Sequence, residues 1–155
     1  MEGSGDLLAL RGDLCFPIEV KSSKKPKLYL SGRTWDQYLA MIHEGKRCDL
    51  MPLYAYRLKG VRGDSWRIFR VDVGRLSGRL GMLTRRIPAL PLTRNGKPFL
   101  DWEQGMPLHL FVSLVCRKST NETLESLDKR ISKIDVSEDV TENESSQMRI
   151  TDIIQ

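Results

Sequence analysis

The chain has 155 residues, 40% hydrophobic and 29% charged, with a formal net charge of +5 at pH 7. That length allows one modest hydrophobic core with extensions. There is no apolar run long enough to span a bilayer, and the first residues lack the basic and apolar regions of a secretory leader. A soluble, intracellular protein with no membrane partner is expected. Cys15, Cys48 and Cys116 are odd in number and scattered, which gives neither a disulfide framework nor a zinc pattern. His43 and His109 lie far apart, so a histidine metal site is not expected. Residues 1–116 hold 19 Lys and Arg against 11 Asp and Glu, and residues 117–155 hold 6 against 9. A basic body with an acidic tail fits a polyanionic partner for the body.

Leu7 to Leu10 and Phe16 to Val20 flank the turn residues Arg11-Gly12-Asp13, a pattern that predicts a β-hairpin. Strand side chains alternate, so Glu19 and Lys21 share one face while Ile18 and Val20 point into the core. Twelve residues separate Asp6 from Glu19, enough to fold back and set the two carboxylates side by side. Two neighbouring carboxylates and an amine suit divalent-cation binding and phosphodiester hydrolysis. The plainer readings are a loop aspartate for Asp6 and a lysine snorkelling at a strand end for Lys21. Glu19 is harder to explain structurally, because an unpaired carboxylate in an apolar strand is costly to bury. Pro17 removes a main-chain donor, which favours an edge or bulged position there.

The polar loop Ser23 to Lys27 carries Lys24, Lys25 and Lys27, and Leu28 to Leu30 is a short extended piece. Ser31 is placed to cap a helix over about residues 32–44 that carries Gln37, with Trp35, Leu39 and Ile42 on its buried face and Gly45 at its end. Pro52 to Leu58 and Trp66 to Val71 read as strands joined by a turn over 60–64, and this pair is expected to extend the hairpin sheet. Residues 74–98, with Arg75, Arg79, Arg85, Arg86, Arg94 and Lys97 among isolated apolar residues, read as a long irregular basic arm. Pro107 to Val115 reads as one more apolar strand. In the tail, Leu124, Leu127, Ile131 and Ile134 are spaced for a short amphipathic helix able to dock a protein partner, and residues 137–148 read as disordered.

Gly3-Ser4-Gly5-Asp6-Leu7-Leu8-Ala9-Leu10 followed by Ile18-Glu19-Val20-Lys21-Ser22 resembles the archaeal Holliday junction resolvase family of the PD-(D/E)XK nuclease superfamily. The match continues through Tyr29-Leu30-Ser31, Gln37, the strand ending near Leu58 and Trp66 to Phe69, covering roughly residues 3–72. The resemblance implies an α/β fold of the restriction-endonuclease-like type, a mixed central sheet with flanking helices, extended by the basic arm and the polar tail. It divides the chain into a partial nuclease core (1–73), a basic extension with a further strand (74–117) and the acidic tail (118–155). Family members open with a helix bearing a further catalytic Glu, and Met1 to Gly5 are not expected to supply it.

The implied activity is metal-dependent cleavage of four-way DNA junctions by a symmetric homodimer, in the cytoplasm and at the nucleoid. Asp6 and Glu19 would ligate magnesium, or manganese in its place, with the Val20 carbonyl as a further oxygen. Lys21 would orient the attacking water or stabilise the phosphate, with Ser22 and Gln37 as lesser members of the site. Lys24, Lys25, Lys27, Arg33, Arg85 and Arg86 are the candidate DNA contacts, set against ordinary solvated charge. Two alternatives stand beside this reading: a non-catalytic DNA-binding module on a decayed nuclease fold, and a related nuclease acting on linear or flapped DNA.

Overall fold

The two apolar stretches around Arg11-Gly12-Asp13 fold back on each other as expected. β1 (Leu7–Arg11) pairs antiparallel with β2 (Leu14–Ser23), Leu7 opposite Ile18 and Arg11 opposite Leu14. Gly12 turns the chain at φ 56, a backbone conformation that costs glycine nothing. The computed structural model describes residues 5–116. Residues through Val115 form one compact unit, and Cys116–Gln155 separate as a second, of which only Cys116 is described. The predicted tail helix and the 137–148 segment lie outside the described residues.

After β2 come β3 (Lys27–Tyr29), α1 (Arg33–Cys48), β4 (Leu53–Leu58) and β5 (Trp66–Arg70). α2 (Gly78–Leu83), β6 (Phe99–Asp101), a 3-10 turn at Trp102–Gln104 and β7 (Met106–Pro107) follow, and residues 108–116 are helical. The main sheet runs β1-β2-β4-β5-β7, and β3 pairs with β6 in a separate two-stranded ribbon. β2 and β4 are parallel, joined through α1, while the other pairs are antiparallel. The fold is therefore mixed α/β.

Register and the two-residue strand period sort the side chains onto two faces. Glu19, Lys21, Tyr54, Tyr56, Arg67 and Phe69 share one face, which meets Gln37 of α1 and the Trp102 ring beneath the Arg67 guanidinium. Leu14, Phe16, Leu53, Ala55 and Ile68 form the other, where the Phe111 ring meets Phe16 edge-on at 5.7 Å. Both faces are covered, so β4 is buried over most of its length.

Several sequence expectations are corrected. Pro107 to Val115 is not a strand: only Met106–Pro107 pair, and 108–116 form a helix burying Phe111 and Val115, four residues apart. An apolar run of this length does not reveal its own period. Residues 74–98 are not a loose arm, since Leu76, Leu80, Ile87 and Leu90 are buried in the core and α2 is regular; the arginines are its solvent side. Gly32, not Ser31, is the N-cap of α1, and no side chain caps it. The helix runs on past Gly45 and stops at Asp49, which takes φ 53. Met41 and Gly45 form its buried stripe, with Leu39 exposed, so the Trp35-Leu39-Ile42 face is only partly inward. Pro17 sits in an interior strand. It precedes the first β2–β4 pair, Ile18 with Leu53, so its missing N–H costs that ladder nothing.

Gly45 sets how closely α1 approaches the sheet. A Cβ there would lie 2.6 Å from Val73 Cγ1 and 3.0 Å from the Pro52 ring. Gly45→Ala, a change that in an open helix stabilises by about 0.5–1 kcal/mol, is expected here to destabilise by about 1–3 kcal/mol. Urea unfolding reads the sign directly, and a raised midpoint would refute the close-packing role.

Candidate functional site

Glu19 lies inside β2 and is 3% exposed, so its charge needs a partner. Lys21, two residues on and on the same face, supplies one: Nζ lies 2.7 Å from Glu19 Oε1. The same Nζ donates to Gln37 Oε1 at 3.0 Å, which ties the pair to α1. Asp6, just ahead of β1, engages the main chain on both sides of Glu19. Its N–H donates to the Ile18 carbonyl at 2.9 Å, and its Oδ2 accepts from the Val20 N–H at 2.9 Å. Gly5 makes this approach possible, with φ 111 and a position where a Cβ would stand 3.3 Å from the Ile18 oxygen. The N–H and C=O of one strand residue point to the same side, so the Val20 carbonyl faces the same edge as Asp6, beyond the last β1–β2 pair.

The structure thus brings together Asp6, Glu19, Val20, Lys21 and Gln37. Ser22 projects from the opposite face of β2 and is exposed, so it stands apart from them. Lys24, Lys25 and Lys27 are exposed just beyond β2, and Arg33 opens α1, also exposed. Arg85 and Arg86 are exposed too, but at the other end of the sheet. Ile87, next in the chain, offers its carbonyl to Arg70 Nε at 2.9 Å, and Arg70 pairs with Leu53 at the start of β4. The lysine loop follows Ser23, which pairs with Leu58 at the far end of β4, about 17 Å away at the usual rise.

Sequence reasoning missed the tyrosines of β4. Tyr54 pairs with Glu19 and Tyr56 with Lys21, so both hydroxyl-bearing rings share the face of the carboxylate. The signal was their two-residue spacing in a strand that follows a Glu-x-Lys. Tyr56 Oη donates to the Lys25 carbonyl and so holds the lysine loop. Tyr54 Oη, fully buried, is the only buried side-chain polar atom without a hydrogen bond among the described residues. Burial pushes the Tyr54 hydroxyl well above its ordinary pKa, with the Glu19 carboxylate and Tyr38 adding to the rise. Burial raises Tyr38 as well, with Asp72 adding to it; in Tyr56 burial and Asp101 raise the value and a Ser23 hydrogen bond opposes them.

Among the described residues no cluster of three or more His, Cys, Asp or Glu side chains occurs. The oxygen donors that the site offers are two carboxylates and the Val20 carbonyl, all hard ligands, with an unpaired buried hydroxyl beside them. That set suits a hydrated magnesium-type cation, which keeps several of its waters, and does not suit a softer metal seeking nitrogen or sulfur. Lys24, Lys25 and Lys27 lie exposed at one margin, just beyond β2, and Tyr29, also exposed, stacks on Phe99 at 5.2 Å within the separate β3–β6 ribbon.

No protein-family model and no curated protein sequence matches the chain. Among solved structures it is similar to that of Hjc from Archaeoglobus fulgidus, a Holliday junction resolvase from an archaeal hyperthermophile, at 20% identity and a TM-score of 0.44, over 67% of this chain and 69% of that one. Among the described residues no helix is long and apolar enough to cross a membrane.

The raised tyrosines make stability fall in alkali. In the unfolded chain these hydroxyls lose their protons near pH 10, while the fold keeps them neutral. Above about pH 10 the folded state binds more protons, so stability decreases as pH rises. Tyr54→Phe is expected to make this decline shallower by one titrating group in urea midpoints measured across that range. Equal slopes for the two proteins would contradict a neutral Tyr54.

Proposed function

We propose that this chain is a metal-dependent endonuclease that hydrolyses phosphodiester bonds in branched DNA, four-way junctions foremost. The supporting observation is a buried carboxylate, Glu19, ion-paired to Lys21 two residues away, with Asp6 clamped to the main chain around it. A purely structural glutamate has little reason to sit there, because apolar residues of similar volume stabilise a core as well as a buried ion pair or better. The sequence resemblance to the junction resolvases gives the same residues the same roles.

Asp6, Glu19 and the Val20 carbonyl would hold the cation. Magnesium, once bound there, lowers the pKa of a coordinated water and offsets charge on the phosphate. Lys21 faces the reacting phosphate and stabilises its developing negative charge, while Gln37 keeps the amine in position. Lys24, Lys25, Lys27 and Arg33 border the same end of β2 and bind the DNA backbone, which carries shape rather than sequence. A homodimer matches the two-fold symmetry of a four-way junction and would present two such sites to opposing strands.

One observation favours a second reading, a DNA-binding module without catalysis: the described residues offer only a pair of carboxylates at the site. The decisive experiment incubates the full chain with a labelled four-way junction, a flap and a linear duplex, with and without magnesium. Magnesium-dependent cutting of the junction is expected, lost in Glu19→Gln and reduced about 10²–10³-fold in Lys21→Ala. Binding without cutting by the wild type would establish the second reading, and full cutting by Glu19→Gln would end the first. Replacing Lys24, Lys25 and Lys27 with alanine is expected to lower the salt dependence of junction binding by up to about 0.9 in log–log slope per lysine.

A further inference from the structure

Tyr54 is the one buried polar group of the site to which the mechanism above gives no task. It stands opposite Glu19 in the parallel ladder, so both side chains leave the sheet on the same face. Its other strand neighbour on that face is Phe69, also fully buried, so the layer readily takes a plain phenyl ring. A hydroxyl buried without a partner is destabilising, and phenylalanine would fill the same space without that cost. Two residues along, Tyr56 has a carbonyl for its hydroxyl. Tyr54 has none, and the charged group closest in register is the Glu19 carboxylate.

We propose that Tyr54 Oη and the Glu19 carboxylate together hold one water molecule that belongs to the hydration shell of the bound cation. The hydroxyl donates to the water, the water donates to the carboxylate, and its remaining lone pair faces the cation. Three partners are what an ordered internal water ordinarily finds. Lys21 already engages Glu19 Oε1, so the water also steadies a carboxylate that two cationic groups would otherwise pull apart. Tyr54 is then a positioning residue: it touches neither cation nor phosphate and acts through the water and Glu19. Groups of this kind tune metal affinity strongly, typically by 10–100-fold. The proposal rests on reading the site as a cation site.

The test uses the full chain as wild type, Tyr54→Phe and Glu19→Gln. Manganese binding is measured by titration calorimetry, and the melting temperature is measured in chelator and in manganese. Tyr54→Phe is expected to bind manganese about tenfold more weakly, while melting in chelator at or above the wild-type temperature. A merely structural hydroxyl gives the opposite pattern, with unchanged affinity and a lower melting temperature in chelator, and either result overturns the proposal. Failure of Tyr54→Phe to fold counts as that lower stability. Manganese binding absent from the wild type, or unchanged in Glu19→Gln, removes the cation site itself and the proposal with it. Lost binding in Glu19→Gln beside unaltered binding in Tyr54→Phe removes only the role of Tyr54.

Discussion

Burying Glu19 is the constraint to which the rest of the fold conforms. Moving a carboxylate out of water costs several kcal/mol unless an opposite charge comes with it. Lys21 comes with it by construction, because strand positions two apart share a face and lie about 6.6 Å apart along the chain. The pair then needs a polar cover that does not compete with it, and Gln37 provides a neutral acceptor. For Gln37 to reach Lys21, α1 must lie tightly on the sheet, and Gly45 near its other end, packed against Pro52 and Val73, allows that. The parallel β2–α1–β4 connection, the glycine in the helix and the buried ion pair are one arrangement viewed at three scales.

The opening of the site follows from unequal strand lengths. β1 stops pairing at Leu7 opposite Ile18, whereas β2 runs on to Ser23 alongside β4. Past Ile18, one edge of β2 therefore has no ladder partner. Asp6 takes the Val20 N–H with its side chain, so an anionic group replaces a strand at the place where the edge opens. A main-chain carbonyl and a carboxylate thus border Glu19 without any loop having to be inserted. Were β1 two residues longer at its start, its own backbone would satisfy Val20 and cover the carboxylates.

The parts of this arrangement that were legible in the sequence are those governed by the two-residue strand period: the hairpin, the shared face of Glu19 and Lys21, and the pairing of the later strands with the hairpin. Gln37 was legible from its family resemblance more than from its helix, whose buried face was misassigned because aromatic and aliphatic residues occupy more than one side. The segment 108–116 gave no period to read, being apolar nearly throughout. Residues 74–98 look irregular because their buried positions, Leu76, Leu80, Ile87 and Leu90, are separated by arginines and prolines. Charge counting grouped Arg85 and Arg86 with the lysine loop, but a composition has no direction, and strand register sets the two at opposite ends of β4.

Lys21 is where structure and chemistry meet most closely. An ammonium has three N–H donors; Glu19 and Gln37 take two, which leaves one suited to a phosphate oxygen. Under the proposed function, Glu19 would share its charge with a bound cation and hold Lys21 less strongly, because like charges repel and the carboxylate's attraction would be divided. The Gln37 contact is neutral and would not weaken in this way, so it would keep the amine in position were Glu19 to ligate a cation. A second carboxylate at position 37 would bind Lys21 more tightly at rest and would hold it away from phosphate. A neutral amide at position 37 thus leaves Lys21 as the counter-charge of Glu19 and, in the proposed function, would leave it able to contact an anion as well.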